Sequence, residues 1–218
     1  FGRTLRTVFF LSIPAAVGLI VLGTPLIRIL LERGRFTAES TSMVAYALQF
    51  YALGLVAHAG LEITVRAFYA LHDTLTPVAF GVAAMVLNIV LSIWWVDTLG
   101  YGGLALANSV ATSLEMIILL YLLNRRMDGI EARRLFASAS RSLIAALIMG
   151  LAVYLWLEWL AGANVGATAA RWLAPLVGMA LAAGVYALAS LVLRNEEMQS
   201  LTALVRRRIE GCVQLRIC

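Results

Sequence analysis

Ionisable side chains are sparse in this chain, and four of them fall in one register. His58, Glu62 and Arg66 recur every four residues, and Asp73 follows Glu62 by eleven. On one continuous helix these positions share nearly the same face. Tyr51 and Tyr69 flank the stripe. Glu62 precedes Arg66 at i,i+4, the favourable order for a helical ion pair. A charge at the centre of a bilayer costs roughly 2.5–3.5 kcal/mol or more, so charged residues within apolar runs mark where function is sought. Two readings fit. The stripe can face a water-filled cavity, with Arg66 offered to an anionic head group. Alternatively Arg66 only reaches for the membrane interface while Glu62 neutralises it. His58 by itself reads as a hydrogen-bonded packing residue.

A second set carries oxygen rather than charge. Asn88 and Ser92 sit at i,i+4, and Asn108, Thr112 and Glu115 follow on the next apolar run. Side-chain oxygens converging from two helices can hold a small cation such as Na⁺. They can equally be inter-helix hydrogen bonds, worth about 0.6 kcal/mol on average. Glu115 is a mid-membrane carboxylate, so it must be paired, protonated or in a wet cavity. No metal-ligand signature, nucleotide-binding loop or nucleophile elbow accompanies these residues. Nothing here supports soluble enzymatic chemistry, and the expectation is no metal, no enzymatic reaction and no nucleic acid. Cys212 and Cys218 lie in the basic tail and cannot staple the fold.

The elements that position these residues are membrane spans. The chain is 62% hydrophobic and 13% charged over 218 residues, with a mean hydropathy of +0.90. Soluble domains run near about 45–50% apolar and about 25% charged. A helix needs about 20 apolar residues to cross the hydrocarbon core, and six runs are long enough: Thr7–Leu31, Ser42–Ala70, Pro77–Val96, Gly103–Leu123, Ser142–Leu160 and Trp172–Leu193. They are too long and continuous for barrel strands, so the fold class is all-α, a bundle of six transmembrane helices. Residues 1–123 form four helices, 124–141 a basic loop, 142–193 two more helices, and 194–218 a basic tail. The chain opens on Phe1 without a signal-peptide pattern, which reads as a piece of something longer cut at its N-terminal side.

Arginine, the only basic residue besides histidine, sets the orientation. If the spans alternate, Arg3, Arg6, Arg66, Arg125, Arg126, Arg133, Arg134, Arg141, Arg194, Arg206, Arg207, Arg208 and Arg216 share one side. Arg28, Arg33, Arg35 and Arg171 hold the other, thirteen against four. Such an excess marks the cytoplasm and places both ends there. Trp94, Trp95, Trp156, Trp159 and Trp172 all fall on the opposite face, as an interfacial belt does. Glu131–Leu135 with Phe136 and Arg141, and the tail Met198–Ile209, read as amphipathic pieces on the cytoplasmic surface, either meeting anionic lipid or serving only as topology charge.

Small residues recur as Gly18 and Gly23, Gly54 and Gly60, Gly102 and Gly103, Gly178 and Gly184. Such residues permit close helix approach. Pro14 frees a carbonyl in the first span and can kink it.

The polar hinge between the second and third spans carries a resemblance. Arg66-Ala-Phe-Tyr-Ala-Leu-His-Asp-Thr-Leu-Thr-Pro77 resembles the segment R-x-F-Y-A-x-x-D-T-x-T-P of the MurJ (MviN) lipid II flippase family. Pro14, Gly18 and Leu19, then Pro25 and Leu26, then Gly34, Phe36 and Thr37 are similar to the pattern ahead of that segment. Tyr101-Gly102-Gly103-Leu104-Ala105-Leu106-Ala107 resembles the family's glycine-led start of the next helix. The resemblance covers about Phe9–Ala107 and implies the following expectations. The six spans correspond to the last six of fourteen helices, the C-terminal lobe of a flippase of the MOP exporter superfamily in the bacterial inner membrane. The substrate is the undecaprenyl-linked peptidoglycan precursor, moved from the inner to the outer leaflet by alternating access for cell wall synthesis. Arg66 attracts the pyrophosphate-sugar head group, while Glu62, His58, Asp73 and Glu115 shape the cavity. The last two spans form a groove for the lipid tail. No cofactor is implied beyond Na⁺ as a coupling ion at Asn88, Ser92, Asn108 and Thr112. The partners are the missing N-terminal lobe and anionic membrane lipids. The rival readings are another transporter of the superfamily (an O-antigen or teichoic-acid flippase, or a drug/cation antiporter) and a non-transporting membrane scaffold.

Overall fold

A computed structural model describes residues 1–32, 36–126, 132–162, 167–193 and 198, with only the backbone described at 132 and 167–171. Expectations placed on Arg33, Gly34, Arg35, Glu131, the Arg171 side chain, Arg194, the tail 199–209, Cys212, Arg216 and Cys218 lie outside the described residues. Six helices follow one another: α1 Gly2–Leu31, α2 Ala38–Ala70, α3 Leu75–Leu99, α4 Tyr101–Arg126, α5 Ala132–Gly162 and α6 Ala167–Val192. All six are long and apolar enough to cross a membrane, and the described residues contain no strand. A backbone in hydrocarbon must satisfy itself within the segment, which is why each apolar run closes as one helix. The chain is a multi-pass membrane protein.

Every helix is longer than the apolar run that announced it. The 33 residues of α2 span about 50 Å at 1.5 Å per residue. That exceeds a hydrocarbon core of about 30 Å, so the ends project among head groups. Thr37 caps α2 by accepting the Ser40 amide at 3.4 Å. The basic stretch after α4 is not a separate surface piece from 132 onward: Arg133, Phe136 and Arg141 belong to the first turns of α5. Nothing in that stretch breaks a helix, so α5 continues back past its apolar part.

Register shows how the helices alternate. Gly23 lies against Leu48 and Gly60 against Phe9, so α1 and α2 run antiparallel. Gly102 meets Tyr46 and Phe50, Gly54 meets Ser109, and Gly60 meets Met116, so α2 and α4 run parallel. Gly150 on Val17 makes α1 and α5 parallel, and Gly178 on Leu22 makes α1 and α6 antiparallel. One end of the bundle therefore holds Arg66, Arg125 and Arg126, and the other holds Trp94, Trp95 and Trp159.

The packing divides in two. In one part α4 lies between α2 and α3. In the other, α5 and α6 pack on each other and on α1. Their shared core is Leu5, Phe9, Phe10, Ile13 and Leu22 of α1 with Ala145, Ala146, Met149, Val153, Ala182 and Tyr186. A smaller core of Phe68, Leu119 and Leu123 sits at the arginine-rich end. Helix α1 touches both parts.

Two tight corners fix the polar hinge and its counterpart. Helix α2 stops at Ala70 because His72 turns to φ 60°. The His72 amide donates to Tyr69 O at 3.0 Å and the Asp73 amide to Phe68 O at 3.1 Å. This 5→2 and 6→1 pair is a Schellman ending, which normally has glycine at the left-handed position. We expect His72→Gly to raise stability by up to about 1 kcal/mol, the left-handed strain relieved less the extra freedom of glycine when unfolded. A thermal melt of the purified protein measures it, and an unchanged or lower midpoint refutes it. At the tryptophan end the corner is Gly100-Tyr101-Gly102-Gly103. Gly100 adopts φ 56°, and a Cβ on Gly103 would run into the Trp95 carbonyl.

Candidate functional site

The candidate polar residues are brought together in three groups rather than one. The stripe on α2 splits because a four-residue step overshoots a 3.6-residue turn by about 40°. Over two steps His58 and Arg66 diverge. His58 turns toward α4, while Glu62 and Arg66 pair with each other. Arg66 Nη2 donates to Glu62 Oε1 at 2.7 Å and Nε to the same oxygen at 3.1 Å. Both side chains are well exposed, at 69% and 64%, so the pair is held by little besides itself. Beside it opens a cleft of about 390 Å³ lined by Phe1, Thr4, Ile63, Arg66, Ala67, Ala70 and Leu71. Its wall is apolar except for Arg66 and Thr4, so it can take an acyl or prenyl segment with an anionic group at its mouth.

Asp73 does not continue the stripe. The helix ends three residues before it, and the carboxylate turns to cap α3. Its Oδ1 accepts the Thr76 amide at 3.0 Å and its Oδ2 accepts the Thr76 hydroxyl at 2.7 Å. Arg126, at the end of α4, forms an ion pair with the same Oδ2. Arg126 also lies over the Phe68 ring, 5.7 Å from its centroid. The Thr76 amide and hydroxyl, then Arg126, hold the Asp73 carboxyl down from 3.8 to about 2. The hinge thus ties the ends of α2, α3 and α4 into one corner. Among the described residues it acts as a structural joint. Nothing in the sequence links Asp73 to Arg126, which lies 53 positions away and reads there only as a topology charge.

The third group crosses three helices. Asn108 Nδ2 of α4 lies 3.1 Å from His58 Nε2 of α2. Asn108 Oδ1 accepts from Asn88 Nδ2 of α3 at 3.4 Å. Asn88 Oδ1 in turn accepts the Ser92 hydroxyl at 3.0 Å. Donors and acceptors alternate along this chain, so each group satisfies the next. His58 is the member that spacing alone did not supply. Thr112 is buried one turn beyond Asn108 and no hydrogen bond joins it to the chain among the described residues. Replacing Asn108 with leucine removes the central link and leaves His58 and Asn88 without it. We expect a loss of about 1 kcal/mol, within the measured range for inter-helix polar bonds in membranes. Thermal unfolding in detergent tests this, and a stabilised variant would refute it.

Glu115 has no ion-pair or hydrogen-bond partner among the described residues. It is half-buried on α4, and its Oε1 lies 3.3 Å from the place a Cβ on Gly81 would take. The glycine on α3 makes room for the carboxylate. Another feature was not visible in the sequence: Ser109 donates its hydroxyl to Phe50 O at 2.7 Å, beside the close approach of Gly54 to Ser109.

Comparison with known proteins identifies the family. The family model described as "Lipid II flippase MurJ" matches residues 2–173. A probable lipid II flippase MurJ of Rhizobium meliloti is 34% identical over 73% of this chain and 30% of its own length. One of Vibrio cholerae is 36% identical over 71% of this chain and 31% of its own length. This chain thus spans about a third of the length of the curated relatives it matches. A solved lipid II flippase MurJ in an inward closed conformation superposes with a TM-score of 0.74 and 27% identity, over 88% of this chain and 38% of that one. With six apolar helices in the same arrangement and the family model covering most of its length, the chain belongs to the lipid II flippase MurJ family.

Proposed function

We propose that these six helices work as the C-terminal lobe of a longer flippase. That flippase carries the undecaprenyl-linked peptidoglycan precursor from the inner to the outer leaflet of the bacterial cytoplasmic membrane. The family match over residues 2–173 carries this reading. In it, the arginine-rich end faces the cytoplasm, in line with the positive-inside rule. Arg66 meets the pyrophosphate of the head group beside the cleft near Phe1. To do so it exchanges Glu62 for the incoming anion, a low-barrier exchange because the pair is exposed. Glu115 serves as the second charged group of the transport path, since an unpaired carboxylate in the apolar layer is maintained only for a purpose. The apolar spans of α5 and α6, Ser142–Leu160 and Trp172–Val192, carry Glu158 as their one charged residue and take the lipid tail. Na⁺ coupling would draw on Asn88, Ser92, Asn108 and Thr112, and would require the Asn88–Asn108 and Ser92–Asn88 hydrogen bonds to open. Replacing Na⁺ by K⁺ in a transport assay decides that part.

The test is growth of a flippase-depleted strain carrying the full-length parent. Growth is expected, and it should be lost in the Glu62→Gln, Arg66→Gln and Glu115→Gln variant with membrane insertion intact. If the unmutated parent inserts yet does not restore growth, the flippase reading fails. If the neutral variant still restores growth, these side chains are not the transport groups, as the scaffold reading holds.

A further inference from the structure

Pro14 stands in the middle of α1. Proline has no N–H, so the carbonyl four residues earlier loses its helical donor. That carbonyl is Phe10 O. In the apolar layer a freed carbonyl must find another partner, and water is not at hand. Here the partner comes from α6: Tyr186 donates its hydroxyl to Phe10 O at 2.7 Å, in a buried setting. The two rings also pack against each other, 5.2 Å apart between centroids and inclined by 46°. Tyr186 is 8% exposed and Phe10 3%. This joins two helices 176 positions apart in the chain.

The bond matters because of where it lies. Helices α5 and α6 make their extensive contacts with α1 and with each other alone. Most of those contacts are apolar, and apolar surfaces slide and rotate with little penalty because lipid is as apolar as leucine. Gly150 on Val17 and Gly178 on Leu22 set how near the helices come. They hold height and rotation less sharply than a directional bond does. A hydroxyl aimed at one particular carbonyl forms such a bond. Pro14 leaves that carbonyl without its helical donor, and with two lone pairs it can accept the hydroxyl whether or not an N–H is restored.

We propose that Tyr186 is a positioning residue for transport: its hydroxyl replaces the N–H that Pro14 removes, and this bond fixes the α5–α6 pair in height and rotation on α1. The inference rests on the transport reading above, with α5–α6 serving the lipid tail. It adds the residue that sets the register of that pair.

The test uses the full-length parent in proteoliposomes, with Tyr186→Phe, Pro14→Ala and the double variant. Tyr186→Phe leaves the carbonyl buried without a donor. It should melt earlier and transport a polyprenyl-linked precursor roughly tenfold more slowly, the scale of one unsatisfied buried group. In the double variant the N–H introduced at position 14 bonds Phe10 O, so stability returns. The tie to α6 does not, so transport stays slow relative to Pro14→Ala alone. Hydrogen exchange of the α6 amides should be faster in both variants lacking the hydroxyl. If the double variant transports as fast as Pro14→Ala, the hydroxyl merely satisfies a carbonyl and the proposal is overturned. Wild-type transport and stability in Tyr186→Phe would overturn it as well. Should the unmutated protein move no precursor, the flippase reading fails. The tie is then judged by hydrogen exchange alone, and equal α6 exchange in all four proteins would overturn it.

Discussion

Gly54→Leu is expected to abolish complementation by the full-length parent and to destabilise the fold by about 1–3 kcal/mol or more, the usual range for overpacking. The reason is the crossing of α2 and α4. A Cβ at Gly54 would lie 2.5 Å from Ser109 Oγ and 2.9 Å from Ser109 Cα. The first contact can be relieved by turning a side chain; the second involves backbone, and relieving it means moving a helix. If α4 moves away from α2, the Ser109 bond to Phe50 O breaks first and the His58–Asn108 contact one turn further on opens next. The damage therefore reaches the polar chain that links three helices. A graded series makes the argument testable. Gly54→Ala should lose less than Gly54→Leu. Adding Ser109→Gly to Gly54→Ala should recover only part, because the Cα remains. Thermal unfolding and complementation measure the series. A Gly54→Leu protein that melts like the wild type would show that the helices are less tightly apposed than described.

The second large effect is expected from reversing charge at the hinge. Asp73→Arg places two guanidinium groups against each other and removes the cap on α3, so complementation should be lost. Arg126→Asp alone should fail too, since it sets two carboxylates together. Combining Asp73→Arg with Arg126→Asp restores opposite charges but not the cap, and should recover activity in part. Asp73→Asn separates the two roles, because asparagine caps a helix as well as aspartate does but carries no charge. It should fall between wild type and Asp73→Ala. Acid gives an independent check. The Asp73 carboxyl is held down from 3.8 to about 2 in the folded protein. A depressed folded value means that its contribution is complete above pH 3.8 and is lost as pH falls toward about 2. The unfolding midpoint of the wild type should decline more across that window than that of Asp73→Asn. Parallel acid profiles would show that neither the Thr76 bonds nor the Arg126 pair stabilises the charged carboxylate.

How much of this could be read from residues alone depends on the range of each interaction. The six spans were legible because a bilayer imposes a length on an apolar run. Their ends were not, because capping by Thr37 and continuation through Arg133–Arg141 involve polar residues that hydropathy counts against a span. The hinge was legible as a turn between Arg66 and Pro77. The place of Asp73 in it was not, since the stripe requires α2 to run on to Asp73, whereas His72 adopts a left-handed backbone that glycine usually occupies. Asn88 with Ser92 was visible as an i,i+4 pair; His58 joining Asn108 required knowing that α2 and α4 are parallel. Among the glycines, Gly54, Gly60, Gly102, Gly103 and Gly178 do sit at close approaches, but Gly18 and Gly184 have nothing near them. Composition reports that a glycine is small and says nothing about whether a neighbour uses the space. The carbonyl freed by Pro14 was readable; the tyrosine that answers it, on the last helix, was not.

The attachment of α5 and α6 through α1 has a consequence for how such a protein can be assembled in evolution. Helices α1 to α4 form a connected unit whose contacts do not depend on the later pair. Removing α5 and α6 would uncover Phe10, Ile13 and Val17 to lipid rather than to water, and lipid covers their side chains at little cost, while the Phe10 carbonyl loses its donor. In a soluble protein the same excision would expose a core and unfold the remainder. A two-helix appendage is therefore easy to gain or lose in a membrane, and a new function can be added at the edge of a finished bundle without redesigning its interior.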